Sequence, residues 1–368
     1  MIHPLVLRYL GNVIYYTKNV LVSYVTCVGI SILLSMVLEQ ILEKTGYNAL
    51  IKKSTITFAR SNKTKDTGFM LGKSKKKKCI AVILIGLILL IAVCILLWNR
   101  KKHKNNYYEI TQYGLDNDSQ AMFYTIKSPT GQLAVIDGGT KGYAEYVRQV
   151  LAKEGNKVDA WILTHAHEDH MGAFVEIMQS SHKIEVSNVY TINIDYAYYA
   201  SVAQPVDRLD VYDKFLNLGL SNVTYLQEGD SIDFIGLTLE VFNAYSDAHK
   251  KGDIQGNLMN ESSLVFKLTN KRESILFCSD TGDKSVHQKL ISTYGDKLKS
   301  DYMQVGHHGA GYSDNFFDVV QASVLFIDAP KSLREWKDYP VYGNLELLKE
   351  KGYTVYTYET APNTIFLH

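Results

Sequence analysis

The segment VDAWILTHAHEDH, Val158 to His170, sets a continuous apolar run of strand length directly ahead of three imidazoles and two carboxylates. An apolar run without alternation reads as a strand buried on both faces, and such strands lie in sheets covered by helices. The polar groups start where the strand stops, which fixes them at the rim of a core rather than along a solvated loop. His165 and His167 are two residues apart, so on extended backbone they point the same way and grip one ion. Asp169 and His170 follow where the chain turns into a predicted helix, MGAFVEIMQ, and their different direction suits a second ion. Imidazoles with a carboxylate suit Zn²⁺, Mn²⁺ or Fe²⁺, and open coordination positions leave room for a water.

The surroundings fit this placement. AMFYTIK (Ala121 to Lys127) and QLAVID (Gln132 to Asp137) read as a hairpin across the turn Ser128-Pro129-Thr130-Gly131. YAEYVRQVLAKEG, Tyr143 to Gly155, has helical spacing and a terminal glycine. Further strands are expected at Val189 to Ile194, Leu237 to Phe242, Ser263 to Lys267, Ser274 to Ser279 and Ser323 to Asp328. Helices are expected at Val206 to Leu218, Lys284 to Tyr294 and Leu345 to Lys351. Interleaved strands and helices predict an α/β sandwich beginning near residue 105.

The N-terminal part has another character. Residues 1–104 hold 17 Lys+Arg against 3 Asp+Glu; with 39 and 38 in the whole chain, the remainder has 22 against 35, a net charge of −13. Cys79 to Trp98 is a run of 20 residues without a charge, long enough to cross a hydrocarbon core of about 30 Å as a helix. Val20 to Leu38 is also uncharged but includes Ser, Thr, Tyr and Gly, and is expected to form a second span. The lysine-rich connector between them, with Lys75 to Lys78, carries more positive charge than the NRKKHK that follows Trp98. That asymmetry places the connector in the cytoplasm and the body, 105–368, outside the cell membrane. Both basic stretches suit anionic lipid headgroups. The cysteines give no disulfide framework, since Cys278 is alone in the body.

His165, His167, Asp169 and His170 together meet HxHxDH, and here the sequence resembles the metallo-β-lactamase superfamily over about residues 107 to 368. The resemblance implies the four-layer αββα sandwich of that family and a pair of divalent cations, Zn²⁺ first and Mn²⁺ as the alternative. VIDGGT, Val135 to Thr140, is similar to the family segment whose aspartate, here Asp137, supports the metal-bearing loop. ILFCSDTGD, Ile275 to Asp283, resembles the strand ending in the metal-bridging aspartate, here Asp280. YMQVGHHGA, Tyr302 to Ala310, resembles the HHG motif, which assigns the last ligand to His307 and sets His308 beside it to touch the leaving or phosphoryl oxygen. HHG together with NESSLVFKL (Asn260 to Leu268) is similar to the hydrolase domain of ComEC-type competence proteins. Those have Asn-x-x-Ser, here Asn260 and Ser263, in place of a separate ligand histidine. Ser279 stands where the family commonly has glycine, and DYPVYGN, Asp338 to Asn344, replaces the ComEC-type Tyr-Gly-His-Pro.

Other residues have simpler readings. His249 competes for the missing imidazole but reads better as a solvated loop residue. Asp283 reads as a helix cap rather than a bridging ligand. Tyr190 to Ser201 reads as aromatic packing on a strand and its exit loop more than as a substrate cleft. Glu168 reads as a solvated neighbour, and His182, His287 and His368 as surface residues.

The expected function is therefore metal-assisted hydrolysis, with Asp169 moving the proton, on a phosphodiester or related phosphoester. The acidic body disfavours a long nucleic acid as partner, although a single phosphodiester remains acceptable beside the cations. Hydrolysis of an amide or lactone on the same fold, or a structural metal site in a membrane-anchored binding protein, are the competing readings.

Overall fold

In the computed structural model, the described residues are 106–115, 119–181, 183–250, 256–358 and 361–368. The spans expected at 20–38 and 79–98 and the basic connector lie outside them. Among the described residues no helix is long and apolar enough to cross a membrane.

The chain begins with β1 (Tyr108–Gln112), β2 (Phe123–Lys127) and β3 (Leu133–Asp137) and continues into helix α1 (Ala144–Lys153). Then come β4 (Lys157–Val158), β5 (Ala160–Ile162), α2 (Glu168–Gln179), β6 (Glu185–Val186), β7 (Val189–Thr191), α3 (Tyr196–Val202), α4 (Leu209–Asn217) and β8 (Val223–Tyr225). The second half runs β9 (Ser231–Phe234), β10 (Leu237–Asn243), α5 (Asp247–Lys250), α6 (Leu258–Glu261), β11 (Val265–Thr269), β12 (Ser274–Phe277) and α7 (Lys284–Tyr294). It closes with β13 (Tyr302–Gln304), α8 (Asp314–Val320), β14 (Val324–Ile327), α9 (Lys331–Glu335), α10 (Pro340–Glu350), β15 (Thr354–Thr357) and β16 (Asn363–Leu367).

Two seven-stranded sheets result, ordered β16-β1-β2-β3-β5-β7-β8 and β15-β14-β13-β12-β11-β10-β9. Each is antiparallel in one part and parallel in the other: β3, β5, β7 and β8 run parallel in the first, and β12 to β15 in the second. Period-two alternation explains how they stack. In the second sheet Phe266, Leu268, Ile275, Phe277 and Phe326 face the core shared with the first sheet. Val265, Leu276, Cys278, Leu325 and Ile327 face the other way, against Val286, Leu290, Phe316, Val341 and Leu348 of α7, α8 and α10. Because both faces are covered, these strands read as apolar runs. On the first sheet, Val147 and Leu151 of α1 and Phe174 and Ile177 of α2 join the main core. Helix, sheet, sheet, helix is the four-layer αββα sandwich expected from the sequence.

Several expected boundaries shift. The strand expected at Val189 to Ile194 ends at Thr191, and Tyr196–Val202 is a helix whose cap Asp195 accepts from the Tyr198 N–H. The expected exit loop is thus replaced by α3. Helix α4 starts at Leu209 rather than Val206, after Pro205, and α10 starts at Pro340, five residues early, with proline in its first turn where no N–H is needed.

Parallel strands direct their carboxyl ends to one edge, where crevices form. Asp137 ends β3, the histidine cluster follows β5, Asp280 follows β12, the HHG segment follows β13, and Asp328 follows β14. Phe277, fully buried and stacked on Phe266 at 5.1 Å, holds the second sheet's inner face just ahead of Asp280. Phe277→Ala is expected to cost about 3–5 kcal/mol in a urea unfolding titration.

Candidate metal centre

Strand β5 delivers the chain to His165 and His167 on extended backbone, and His167 (φ −80°, ψ 154°) is the N-cap residue of α2. His170 lies in the first turn of that helix. The three rings converge, His165 lying 4.7 Å from His167 and 4.1 Å from His170 between centroids. Asp137 supports this loop from below. Its Oδ1 accepts the Thr164 N–H at 2.8 Å, and its Oδ2 accepts the Thr164 hydroxyl at 2.7 Å and lies 2.7 Å from His170 Nδ1. With Nδ1 engaged there, His170 turns Nε2 inward.

Donor atoms gather in two groups that share one carboxylate: His165, His167 and Asp280, and Asp169, His170, Asp280 and His308. Within each group the atoms lie within 4.8 Å of one another. His170 Nε2 is 3.0 Å from Asp280 Oδ1 and 3.3 Å from His308 Nε2, while His308 Nε2 is 3.0 Å from Asp169 Oδ2 and 3.5 Å from Asp280 Oδ2. His165 Nε2 is 3.8 Å from Asp280 Oδ2 and is buried without a hydrogen-bond partner. Donors around a tetrahedral zinc with bonds near 2.1 Å stand about 3.4 Å apart, so the spacing and the donor types both fit divalent cations.

The two histidines of HHG exchange the positions expected from sequence. His308, buried, joins the donor group, and its Nδ1 donates to the Asp328 carbonyl at 3.1 Å. His307 lies outside both groups, half-buried, its Nε2 3.3 Å from Asn260 Nδ2. Both have left-handed backbone, φ 50° and 53°, so successive side chains diverge and one ring enters while the other stays at the edge. Ser263 supports Asp280 by accepting its N–H at 3.1 Å. Ser279 has φ 50°, which explains why glycine suits this position. Its N–H is accepted by Gln304 Oε1 at 2.7 Å, and its hydroxyl donates to the Leu264 carbonyl at 2.5 Å. Gly306 has no freedom to carry a side chain, since a Cβ would fall 1.9 Å from the Thr281 carbonyl oxygen.

Burial and charge set the proton balance. Burial opposes ionisation of Asp169 and Asp280, but the neighbouring rings of His170 and His308 reverse this and hold both well below the usual carboxylate range. Burial likewise opposes protonation of His170, yet Asp280, Asp137 and Asp169 push it up to about 10. His308 is raised by Asp280 and Asp169 against its burial. His165 is pushed well down by burial and by His170. Burial lowers His307 and lifts Glu261 to about 8, although Glu261 accepts the Gly282 and Asp283 N–H groups.

The remaining candidates fall apart from the cluster. His249 is buried rather than solvated, its Nδ1 3.1 Å from the Ser246 N–H donor, because α5 folds it back onto the Glu261 carbonyl. His287 is buried too, stacked on Phe316 at 4.2 Å with Nδ1 2.9 Å from the Ser313 hydroxyl, since it faces inward from α7. Asp283 caps α7 by accepting from Ser285 N–H, and Glu168 pairs with Arg208 at 3.0 Å. His368 is exposed, and His182 lies outside the described residues. Two supports have no sequence signal. Asp328, buried among Gln112 and Tyr124, offers the carbonyl that orients His308, and Asn344 Nδ2 donates to the Gly309 and Ala310 carbonyls at 2.9 and 3.0 Å.

Residues 117–240 match the Metallo-beta-lactamase superfamily. The chain is 25% identical over 236 residues to ComE operon protein 3 of Bacillus subtilis (strain 168), a match covering 58% of this chain and only 27% of that protein. Among solved structures, the metallo-beta-lactamase fold protein YhfI from Bacillus subtilis has a TM-score of 0.45 at 12% identity, over 70% of this chain and 99% of that one. Igni18, described as a metallo hydrolase from Ignicoccus hospitalis KIN4/I, has a TM-score of 0.42 at 14% identity, over 71% and 99%.

The exchange within HHG is directly testable. His308→Ala is expected to lose about one equivalent of bound zinc by elemental analysis while His307→Ala keeps both; the reverse pattern would restore the assignment made from sequence. Saturating Zn²⁺ at about 100 times its Kd is expected to stabilise the fold by about 2.7 kcal/mol, measured as a rise in Tm, and Asp280→Asn should abolish most of that rise.

Proposed function

We propose that this chain, whose body carries a metallo-β-lactamase superfamily domain, is a membrane-anchored hydrolase of phosphodiesters or related phosphoesters. Residues 1–104 form the anchor and the body lies outside the cell. The observation that carries the catalytic part is Asp280, a single buried carboxylate common to two donor groups built from His165 and His167 on one side and Asp169, His170 and His308 on the other. A structural zinc site closes with four protein ligands and has no use for two adjoining groups. Two divalent cations held there would supply Lewis acidity and a water of near-neutral pKa.

The side chains divide the remaining work. Asp169 reaches the donor group through Oδ2 and keeps part of its surface open to solvent, so it can take a proton from a water beside the site and pass it out. His308, expected to touch the substrate, is enclosed and fixed at both nitrogens by Asp328 and the carboxylates. His307 and Asn260 take the rim position instead, where an imidazole and an amide can meet phosphoryl oxygens. The hydroxyls of Thr164 and Ser279 beside the cluster are both tied up as donors, to Asp137 and to the Leu264 carbonyl, which supports water as the attacking group.

The test uses the full-length chain with phosphodiesters, phosphomonoesters, nucleic acids, lactones and β-lactams. Chelator-sensitive turnover is expected on phosphodiesters, and Asp169→Ala should lower kcat by about 10²–10⁴-fold with the Tm preserved. Metal-dependent turnover confined to lactones or amides would replace the phosphoester assignment. Protection of the body from protease in intact cells would overturn its outside placement.

A further inference from the structure

Each imidazole in the cluster has one nitrogen committed to the protein. His170 Nδ1 meets Asp137, His308 Nδ1 meets the Asp328 carbonyl, and His165 Nδ1 lies 3.1 Å from the Thr164 hydroxyl. All of these partners belong to the strand ends that build the centre. His167 differs. It turns Nε2 rather than Nδ1 outward, onto Oδ1 of Asp207 at 2.6 Å. Asp207 sits before α4, forty residues along the chain, and its side chain is only 1% exposed.

We infer that Asp207 is a positioning residue for the metal centre. A neutral imidazole has one N–H donor and one lone-pair nitrogen, and only the latter binds a cation. By accepting the Nε2 proton, Asp207 fixes the tautomer that leaves the Nδ1 lone pair of His167 facing the group it forms with His165 and Asp280. The carboxylate is itself held in place: Oδ2 accepts the Gln204 N–H at 2.6 Å, and Oδ1 also accepts Asn257 Nδ2 at 3.0 Å. Asn257 caps α6 through its Oδ1, which takes the Met259 and Asn260 N–H groups at 2.9 and 3.1 Å. One carboxylate therefore ties the metal-bearing loop to the short helix that presents Asn260. It acts on the smaller of the two donor groups, which among the described residues has two imidazoles and the shared Asp280.

The inference rests on the metal-centre reading above, and its test measures metal rather than turnover. The full-length chain and its Asp207→Ala and Asp207→Asn variants are titrated with Co²⁺ against a chromophoric chelator, and the visible ligand-field spectrum is recorded. Asp207→Ala is expected to weaken one of the two ions by about 10–100-fold and to change its spectrum, with Asp207→Asn losing less because its oxygen still accepts the Nε2 proton. The other ion should bind as in the wild type. Such a loss supports the inference even where the wild type turns over none of the substrates tried. Should Asp207→Ala fail to melt cooperatively, Asp207→Asn decides. Variants that bind both equivalents with wild-type affinity and spectrum overturn it, as does a wild-type chain that takes up no Co²⁺.

Discussion

The carboxylate of Asp280 is the point at which both sheets' contributions meet. It follows a strand of the second sheet, yet it lies among His165 and His170 from the first, and it is almost wholly buried. A desolvated charge costs several kcal/mol unless partners compensate it. Compensation here requires rings from both halves of the chain, so the site exists only when the two sheets are docked in one register. Hydrogen bonds across the gap enforce that register: Leu264 N–H donates to the Thr164 carbonyl, and Gln112 Nε2 and Tyr124 OH reach Asp328. Docking and site assembly are one event.

The loops at this edge accept backbone conformations that a simpler connection would avoid. Asp137, Ser279, His307 and His308 all have positive φ. Such conformations persist only where surroundings over-determine them. Gln304 illustrates how: its Oε1 takes the N–H groups of Cys278 and Ser279, while its Nε2 donates to the Ser279 and Val305 carbonyls. A single amide on the neighbouring strand thereby shapes the turn that aims Asp280. Asn344 does the same for the HHG segment from α10, in the stretch where the ComEC-type motif is replaced.

Much of this was legible in the chain because strand ends carry their polar groups in short, local patterns. HAHEDH, VIDGGT, CSDTGD and HHG each announce a turn after an apolar run, and the structure brings all four to one edge. The helices with strong periodicity, α1, α2 and α7, were equally clear. The short edge strands β8, β9, β15 and β16 were not, since three to five largely half-exposed residues leave too little alternation to read. The order of His307 and His308 was also out of reach, because adjacent residues differ only by backbone dihedrals that no local pattern records. Asp207 and Asn344 escaped for another reason. Their partners are distant in sequence, and no local pattern around either residue records the pairing.

The charge of the body bears on what such a site can admit. A net charge of −13 acts on an approaching polyanion over the whole surface, but salt screens it beyond about 10 Å. Inside that range the balance would be set by the metal centre itself, since bound cations would outweigh every nearby side chain. A short ester end that enters the edge crevice feels mainly the centre, whereas a long duplex lying across the face feels mainly the acidic surface. Under the proposed phosphoester reading, that surface field would favour compact or terminal substrates over long polyanions while leaving the chemistry at the metal centre unchanged.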